Sequence, residues 1–371
     1  AHPVASYYVK QAKLRGAKLI VADPRCHELA KMSDIFAQIK VGSDVAFLNG
    51  IMNVLINENL YDKKFVAEHC TGFDELKKAV QNYPPEKAAE ISGVPAEQII
   101  RMVRQGCEQL GLQTHDIAAI GISSCGPFVL QHGKIELAAP NVCGGLAGEK
   151  RGLPNNWQSA LLEAPLCVAF GHARVRIVND AVAALEAERR WGALQNDGTA
   201  LANCAYVTWS TGIGTGLCVD GHVLLGKNGN AGHAGHMFVS SKTEGLCGCG
   251  NVGDVEGLVA GNAMPRRYAK QGYTDSASLL IAAQAGNTTA VAIIDAICED
   301  MGRMLYNLIV TLDLVRISLG GSVFWNHRDF LLPKLQAQIV GKIPALTQGC
   351  DIVPAGLGEQ VGDWAALALV V

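Results

Sequence analysis

The sequence WSTGIGTGLCVDGHVLLGKNGNAGHAGHMFVSSKTEGLCGCGNVGDVE, residues 209–256, decides the fold of this chain. A glycine-rich turn at 210–216 separates the apolar runs Ala205–Trp209 and Leu217–Val219, and this pattern predicts a β-hairpin. Glycines at alternate positions let backbone N–H groups approach an anion. No Gly-Lys-Ser/Thr follows, and a strand rather than a helix comes next, which excludes a Walker loop and a Rossmann fingerprint. The prediction is a phosphate-binding hairpin, although many hairpins contain the same glycine pattern.

The second half of this stretch is rich in metal-ligating side chains. His233 and His236 lie in a Gly-His-Ala-Gly-His sequence, and Cys247 and Cys249 are separated by one glycine. His236, the two cysteines and a fourth ligand are the donor types of a tetrahedral zinc site, and such a site would pin a polar loop. Simple burial of these side chains is the alternative.

Composition limits the classes of protein that the whole chain can belong to. Of the 371 residues, 49% are hydrophobic and 18% are charged, which is typical of an ordered globular protein. The net charge of −3 predicts no nucleic-acid partner. The apolar runs are too short to span a bilayer, and the start at Ala1 has no initiator Met and no signal peptide. We therefore expect a cytoplasmic protein without a membrane partner, and the twelve cysteines are expected to be reduced.

Polar side chains follow several predicted strands. Asp180 lies between a strand at Val175–Val178 and a helix at Ala181–Trp191, and Gly320-Gly321 follows a strand at Leu314–Leu319. A carboxylate at such a position can take a proton from a bound hydroxyl or can cap the helix. A glycine pair there allows the close approach of a nucleotide or makes a simple tight turn.

The first hundred residues predict alternating strands and helices, and two carboxylates follow predicted strands there. Asp23 and Asp44 are placed to accept from the N–H groups of a guanine ring or to cap the following helices. This segment resembles the middle of a molybdopterin oxidoreductase, for example the catalytic subunit of a formate dehydrogenase. The resemblance covers about residues 1–105 and is carried by Ala17–Arg25, Gly42–Ala46, Phe73–Leu76 and Ile91–Pro95.

That resemblance implies that Asp23, Arg25 and Asp44 correspond to residues that hold a molybdopterin guanine dinucleotide. The sequence has no four-cysteine iron–sulfur run, no cysteine metal ligand in the usual context and no C-terminal cofactor domain of that family. We therefore do not expect this chain alone to bind the pterin or to oxidise formate.

The remainder of the chain resembles the ROK family of sugar kinases, in particular its archaeal glucokinase-like members. The resemblance covers about residues 108–371 and is carried by Gly121–Ser123, Gly126-Pro127, Ala139–Asn141, Asn179–Ala181, Thr211–Gly216, Gly232–His236, Cys247–Glu256, Gly320-Gly321, Leu357-Gly358 and Gly362. It implies an α/β chain with an actin-like, ribonuclease H-like kinase fold that phosphorylates a hexose with ATP and Mg²⁺. A homo-oligomer is also expected, because ROK-like proteins are often dimers or tetramers.

The resemblance also implies a role for individual residues. Asp180 would be the general base. The sugar ligands would be Asn141, Asn179, His233, His236 and Glu256; the ATP site would include Thr211, Gly212, Gly214, Gly216, Gly320 and Gly321; and zinc would be held by His236, Cys247, Cys249 and Asp254.

Three departures from the family pattern are visible. His233 stands where the family usually has Glu, and Asp254 replaces the third zinc cysteine, which exchanges a soft thiolate for a hard oxygen. The Asp-x-Gly-Gly-Thr hairpin that begins ROK kinases is missing.

We therefore expect an N-terminal dinucleotide-binding-like segment, residues 1–105, in place of the first strands, and an incomplete kinase domain at 106–371. A fragment or subunit of a molybdopterin-dependent formate dehydrogenase, and a non-catalytic sugar-binding protein, are the alternatives.

Overall fold

The structure is a computed structural model that describes residues 13, 19–23, 26, 28–40, 43–61, 63, 66, 72–95, 97–98, 101, 119–140, 142–147, 155–169, 174–241 and 245–371. These residues form two compact units, one of residues 1–177 with Val370 and one of residues 178–369 with Val371. The sequence also predicts an amphipathic helix at Val4–Arg15, which falls almost wholly outside the described residues.

The first unit begins with a small α/β layer. Its described elements are β1 (Ile20–Ala22), α1 (Glu28–Met32), β2 (Ile35–Ala37), α2 (Asp44–Asn57), α3 (Phe73–Val80) and α4 (Pro85–Ser92). Strands β1 and β2 are parallel, with Ile20 opposite Ile35. Helix α2 buries Phe47 and Val54 against Ile35 because apolar residues recur on one face of the helix.

The second part of this unit is built around a three-stranded antiparallel sheet. It contains β3 (Ala119–Ser124), β4 (Phe128–Gln131), β5 (Lys134–Leu137), α5 (Gly144–Ala147), β6 (Ala160–Leu161), α6 (Glu163–Ala169) and most of β7 (Arg174–Asn179), whose last two residues are assigned to the second unit. The sheet order is β4-β5-β6, and β3 pairs with β7. Val45 of α2 packs against the cluster of Phe128, Leu137 and Ile177, so the formate dehydrogenase-like segment shares a core with the segment that follows it.

The second unit holds most of the predicted site residues. Its elements are α7 (Asp180–Trp191), β8 (Gln195–Asn196), β9 (Thr199–Ala200), β10 (Cys204–Trp209), β11 (Ile213–Val219), β12 (His222–Val223), α8 (Val255–Val259), α9 (Ala263–Tyr268), α10 (Ser276–Gln284), α11 (Thr288–Leu312), β13 (Arg316–Gly320), α12 (Ser322–Asn326), α13 (Arg328–Ala337), α14 (Pro344–Thr347), β14 (Asp351–Pro354) and α15 (Val361–Ala368). Five strands form one sheet in the order β12-β11-β10-β13-β14. The β10–β11 hairpin is antiparallel, whereas β10, β13 and β14 are parallel.

Strand β10 is buried on both faces of the sheet, which explains its continuous apolar sequence. Successive side chains of a strand point to opposite faces. Val207 and Trp209 pack in the cluster that contains the buried face of α11, whereas Tyr206 packs in the cluster that contains Ala181 and Leu185 of α7. The sheet therefore lies between helical layers, as the predicted α/β class requires.

Within the described part of the chain, no single helix is long and apolar enough to cross a membrane. Helices α10 and α11 meet that criterion only as a pair, and their axes are bent by 113°.

Candidate functional site

The glycines of the β10–β11 hairpin allow helix α7 to pack closely on the sheet. A Cβ atom at Gly216 would lie 2.4 Å from the Ala181 carbonyl oxygen and 2.7 Å from Leu185 Cβ. A Cβ atom at Gly214 would lie 3.2 Å from Ala181 Cβ. Both positions therefore have a packing reason to be glycine, and this close approach sets the distance between the hairpin and the helix that begins at Asp180.

Gly216→Ala is expected to lower the thermal unfolding midpoint, because overpacking of this kind costs about 1–3 kcal/mol. The backbone carbonyl of Ala181 cannot move away without shifting α7. Gly214→Ala is the matched control, since its new Cβ would meet only side-chain atoms, at 3.1 Å and 3.2 Å. Differential scanning calorimetry should show the larger loss for Gly216→Ala; equal midpoints for the two variants would contradict the packing argument.

The end of the hairpin meets the end of β13 at one edge of the sheet. The Ser210 N–H donates to the Gly212 carbonyl at 3.0 Å and closes the turn. The hydroxyl groups of Ser210 and Ser322 lie 3.0 Å apart. Because β10 and β13 are adjacent parallel strands, their carboxyl ends bring both hydroxyls and the exposed Thr211 to the side of an α/β sheet where ligands bind.

The surrounding atoms at the same edge of the sheet leave no space for a Cβ atom at Gly320 or Gly321. Gly321 has φ +87°, and a Cβ there would lie within 2.6 Å of the Trp209 backbone. A Cβ at Gly320 would meet the Tyr206 hydroxyl. The pair therefore makes the tight turn that the sequence allowed as an alternative, and the turn also opens onto Ser210 and Ser322.

Asp180 is the first residue of α7, and Asn179 occupies the N-cap position. The Asn179 side chain accepts from the Ala181 N–H at 3.0 Å, and Asp180 Oδ1 accepts from the same N–H at 2.9 Å. Burial by the surrounding protein raises the pKa of Asp180, while the Ala181 N–H and His233 favour the ionised form. The carboxylate nevertheless keeps contact with solvent. Asn179 therefore holds the N-cap position, and Asp180 is a first-turn carboxylate that shares the same N–H donor.

His233 lies in the loop that packs along β11. Its ring nitrogen Nε2 is buried and has no hydrogen-bond partner among the residues that the structure describes. Burial lowers the pKa of His233, as does neighbouring His236, whereas Asp180 and Glu256 raise it. A half-buried neutral ring with an unsatisfied nitrogen, within the electrostatic reach of Asp180, is suited to a hydrogen bond with a bound hydroxyl.

Four side chains converge beside this histidine. Nδ1 of His236 lies 3.7 Å from Cys247 Sγ, 3.6 Å from Cys249 Sγ and 3.2 Å from Asp254 Oδ2. Cys249 Sγ is 3.6 Å from the same Asp254 oxygen, and all four ligand atoms lie within 4.8 Å of one another. A tetrahedral ion with bonds of about 2.0–2.3 Å separates its ligands by roughly 3.3–3.8 Å, so this donor set fits a zinc ion.

The aspartate of this cluster is held firmly. Asp254 is 0% exposed, and its second oxygen, Oδ1, accepts from the Gly257 N–H at 2.8 Å as the N-cap of α8. The carboxylate is thereby oriented with Oδ2 toward His236, as second-shell contacts orient metal ligands. Burial raises the pKa of Cys247 in the absence of a cation, and a bound cation would reverse this effect.

Glu256 joins the cluster to the hairpin. Its Oε2 accepts from the Ile213 N–H at 3.1 Å, and its Oε1 accepts from the Cys247 thiol at 3.4 Å. A Cβ at Gly212 would lie 2.8 Å from Oε2, so Gly212 leaves the space that this carboxylate occupies.

The N-terminal site residues are less informative. The Asp23 N–H donates to the Ala37 carbonyl at 3.2 Å after β1. Asp44 is exposed and is the first residue of α2, where Ser43 takes the N-cap position. Arg25 and Asn141 lie outside the described residues.

Comparisons with known proteins identify the family of this chain. A model of the ROK family matches residues 77–371. Glucokinase of Aeropyrum pernix is 30% identical over 293 residues, which are 74% of this chain and 86% of that enzyme. A ROK hexokinase structure from Thermus thermophilus has a TM-score of 0.54 and 29% identity, and the match covers 74% of this chain and 85% of the hexokinase chain. The chain therefore belongs to the ROK family, and the predicted actin-like kinase fold is confirmed.

Two further comparisons bear on the fold and on the N-terminal segment. A ROK glucokinase from Streptomyces griseus, solved with glucose and AMPPNP, shares the fold at a TM-score of 0.51 and 23% identity, over 73% of this chain and 88% of that one. Formate dehydrogenase H of Escherichia coli is 45% identical over 104 residues, which are 28% of this chain and 14% of that enzyme. The predicted similarity to formate dehydrogenase is thus confirmed, but only for a small part of its length.

Sequence reasoning did not include Ser210 and Ser322 among the site residues. The available signal was a hydroxyl residue directly after a buried strand and directly after the Gly320-Gly321 pair. Only the pairing of β10 with β13 shows that these two hydroxyls meet.

Proposed function

We propose that this chain transfers the γ-phosphoryl group of ATP to a hexose, with Asp180 as the general base. The observation that carries the proposal is the placement of this carboxylate. The residue is exposed, Asn179 rather than Asp180 is the N-cap residue of α7, and partial desolvation by the surrounding protein raises the pKa of the carboxyl. The adjacent Ala181 packs against Gly214 of the hairpin, so Asp180 lies next to the glycine turn that we assign to the phosphates.

In the proposed phosphoryl transfer the protein forms no covalent bond to either substrate. The sugar hydroxyl oxygen attacks the γ-phosphorus, its proton passes to an Asp180 oxygen, and ADP leaves with the bonding electron pair. Mg²⁺ would offset the phosphate charge, and Thr211, Ser210 and the Gly320-Gly321 turn would contact the nucleotide. Rate acceleration then rests on positioning and electrostatics.

The sugar would be held by the loop that carries His233 and His236, together with Glu256 and Asn179. The unpartnered Nε2 of His233 supports this assignment, because a substrate hydroxyl would satisfy it. Glucose is the first hexose to test, since the Aeropyrum pernix relative is a glucokinase.

Zinc is proposed as the ion of the His236, Cys247, Cys249 and Asp254 cluster. The mixed nitrogen, sulfur and oxygen donors and their separations support this choice. All four ligands come from the protein, so a bound ion would stabilise the loop and hold His233 in place rather than take part in the reaction.

The acid limb of kcat/KM should report the ionisation of Asp180. Burial raises the pKa of this carboxyl, so the base takes up its proton, and activity falls, at a higher pH than the ordinary value of about 3.9. Burial lowers the pKa of His233, so this histidine should not be the origin of the limb. His233→Gln should keep the limb and move it to higher pH, because His233 favours the ionised form of Asp180. The measurement is kcat/KM between about pH 4 and pH 8. Loss of the acid limb in His233→Gln would contradict the assignment of Asp180 as the general base.

An ADP-release assay with ATP, Mg²⁺ and a panel of hexoses tests the proposed function. Hexose-dependent release supports a kinase, and it would also show that the reaction proceeds without the Asp-x-Gly-Gly-Thr hairpin. Sugar-dependent thermal stabilisation without release would instead indicate a sugar-binding protein. Formate dehydrogenase activity is not proposed, since the chain matches only 14% of that enzyme.

A further inference from the structure

Helix α7 carries a second carboxylate that the kinase proposal does not use. Glu188 lies eight residues after Asp180, about 12 Å along the helix, and it is 0% exposed. Oε2 accepts from the Ala193 N–H at 2.9 Å, the Gly356 N–H at 2.9 Å and the Ser318 hydroxyl at 3.0 Å. Oε1 accepts from the Leu357 N–H at 2.8 Å. A buried charge is tolerated only with such partners.

These donors belong to three separate segments of the second unit. Ser318 lies on β13, two residues before Gly320, and Gly356 and Leu357 follow β14. The carboxylate fills the space between the segments, because a Cβ at Gly192 would lie 2.5–2.6 Å from its atoms. One side chain therefore ties the helix of Asp180 to β13 and to the turn after β14.

Tyr206 lies between the buried Glu188–Ser318 pair and the Gly320-Gly321 turn. It is 2% exposed and lies opposite Ser318 in the β10–β13 ladder. Burial raises its pKa, and the charges of Glu188 and Asp180 add to the effect. Since the Tyr206 hydroxyl occupies the space where a Cβ of Gly320 would be, the glycine turn rests directly on this group.

We infer that Glu188 is a positioning residue that fixes the Gly320-Gly321 turn and the Gly356-Leu357 turn relative to the helix of Asp180. The inference rests on the proposed kinase function, in which Gly320 and Gly321 contact the nucleotide. Loss of the carboxylate would leave Gly356 and Leu357 N–H groups facing an amide or a void, so these turns would relax. Asn179 caps the other end of α7, so the sugar side would keep its geometry.

Glu188→Gln tests this inference, because the variant keeps the shape and removes the charge. Glu186→Gln, on the same helix and only partly buried, is the matched control. Isothermal titration calorimetry with AMPPNP and with glucose gives the two affinities separately. We expect AMPPNP binding to weaken about tenfold in Glu188→Gln, or about 1.4 kcal/mol, with glucose affinity within about twofold of the parent and no change in Glu186→Gln. Unchanged AMPPNP affinity in folded Glu188→Gln, or an equal loss of both affinities, would overturn the inference.

Hydrogen exchange makes the test independent of catalysis. Peptides that cover residues 316–324 and 351–360 should exchange faster in Glu188→Gln than in Glu186→Gln, whereas the peptide that contains Asp180 should not. This comparison still decides the positioning role if the parent releases no ADP with any hexose and the kinase proposal fails. Should Glu188→Gln not fold, Ser318→Ala removes one of the four bonds, and it must show the same pattern at smaller size or the inference is wrong.

Discussion

Asp180→Asn is expected to reduce hexose-dependent turnover by about 10²–10⁴-fold, the usual contribution of a general base. The amide has the size of the carboxylate but cannot accept the hydroxyl proton. The fold should survive, because Asn179 is the residue that caps α7. The sugar affinity should largely survive, because the Asn amide oxygen can still accept a hydrogen bond from the sugar hydroxyl. The loss should therefore appear in kcat and not in the sugar Kd.

Steady-state kinetics with calorimetric glucose binding separates these two quantities. Asp220→Asn is the matched control: Asp220 is exposed, lies in a turn at φ +50°, and that conformation also suits Asn. An Asp180→Asn protein that turns over at the parent rate would exclude Asp180 as the base. Loss of glucose binding together with turnover would instead make it a sugar ligand.

Removal of the metal is expected to have the largest effect on stability. Structural zinc in small domains supplies an apparent binding free energy of about 10–16 kcal/mol, and the oxygen of Asp254 should place this site below that range. A net loss of about 3 kcal/mol would lower the unfolding midpoint by about 6–12 °C. Glucose binding should weaken as well, since His233 lies three residues before the ligand His236.

Metal analysis and thermal unfolding test this expectation. The parent should contain one zinc ion per chain, and Cys247→Ser should lose it and show the lowered midpoint. Cys26→Ser is the control, because Cys26 is exposed and lies in the first unit, outside the cluster. A metal-free parent with the same midpoint before and after chelation would mean that the cluster is only a buried polar group.

Sequence patterns predicted the elements that carry the site because these elements are locally determined. The apolar runs on both sides of the glycine turn became β10 and β11, and the expected helix at Ala181–Trp191 begins one residue earlier, at Asp180. His236, Cys247 and Cys249 were predicted as metal ligands from their residue types and spacing, and Asp254 was added through the resemblance to a family; the structure brings all four together.

Other features depend on contacts between distant segments, which no local pattern encodes. Gly214 and Gly216 suggested phosphate binding, yet the close approach of α7 already requires small residues there. Glu188 looks like an ordinary helix residue in the sequence, because its partners at Ser318 and Gly356 lie more than a hundred residues away. The sequence left open whether Asp180 caps α7; the structure gives the N-cap position to Asn179, and both residue types are good caps, so only the structure distinguishes them.

The formate dehydrogenase-like segment packs against the residues that follow it in the first unit. Val45 and the cluster around Phe128 share a core, and the rings of Tyr83 and Trp157 lie 6.5 Å apart. The family match itself begins at residue 77, within the segment that resembles formate dehydrogenase. These contacts support a structural role for the segment within the first unit.

The most direct test is the stoichiometry of product formation in the complete protein. The chain is incubated with ATP, Mg²⁺ and glucose; sugar phosphate is then quantified by ³¹P NMR, and ADP is quantified in the same sample. The proposed function predicts one sugar phosphate for each ADP, with both products formed about 10²–10⁴-fold more slowly by Asp180→Asn. ADP formed without sugar phosphate would show hydrolysis rather than transfer, and sugar phosphate formed at the parent rate by Asp180→Asn would contradict the assignment of the base.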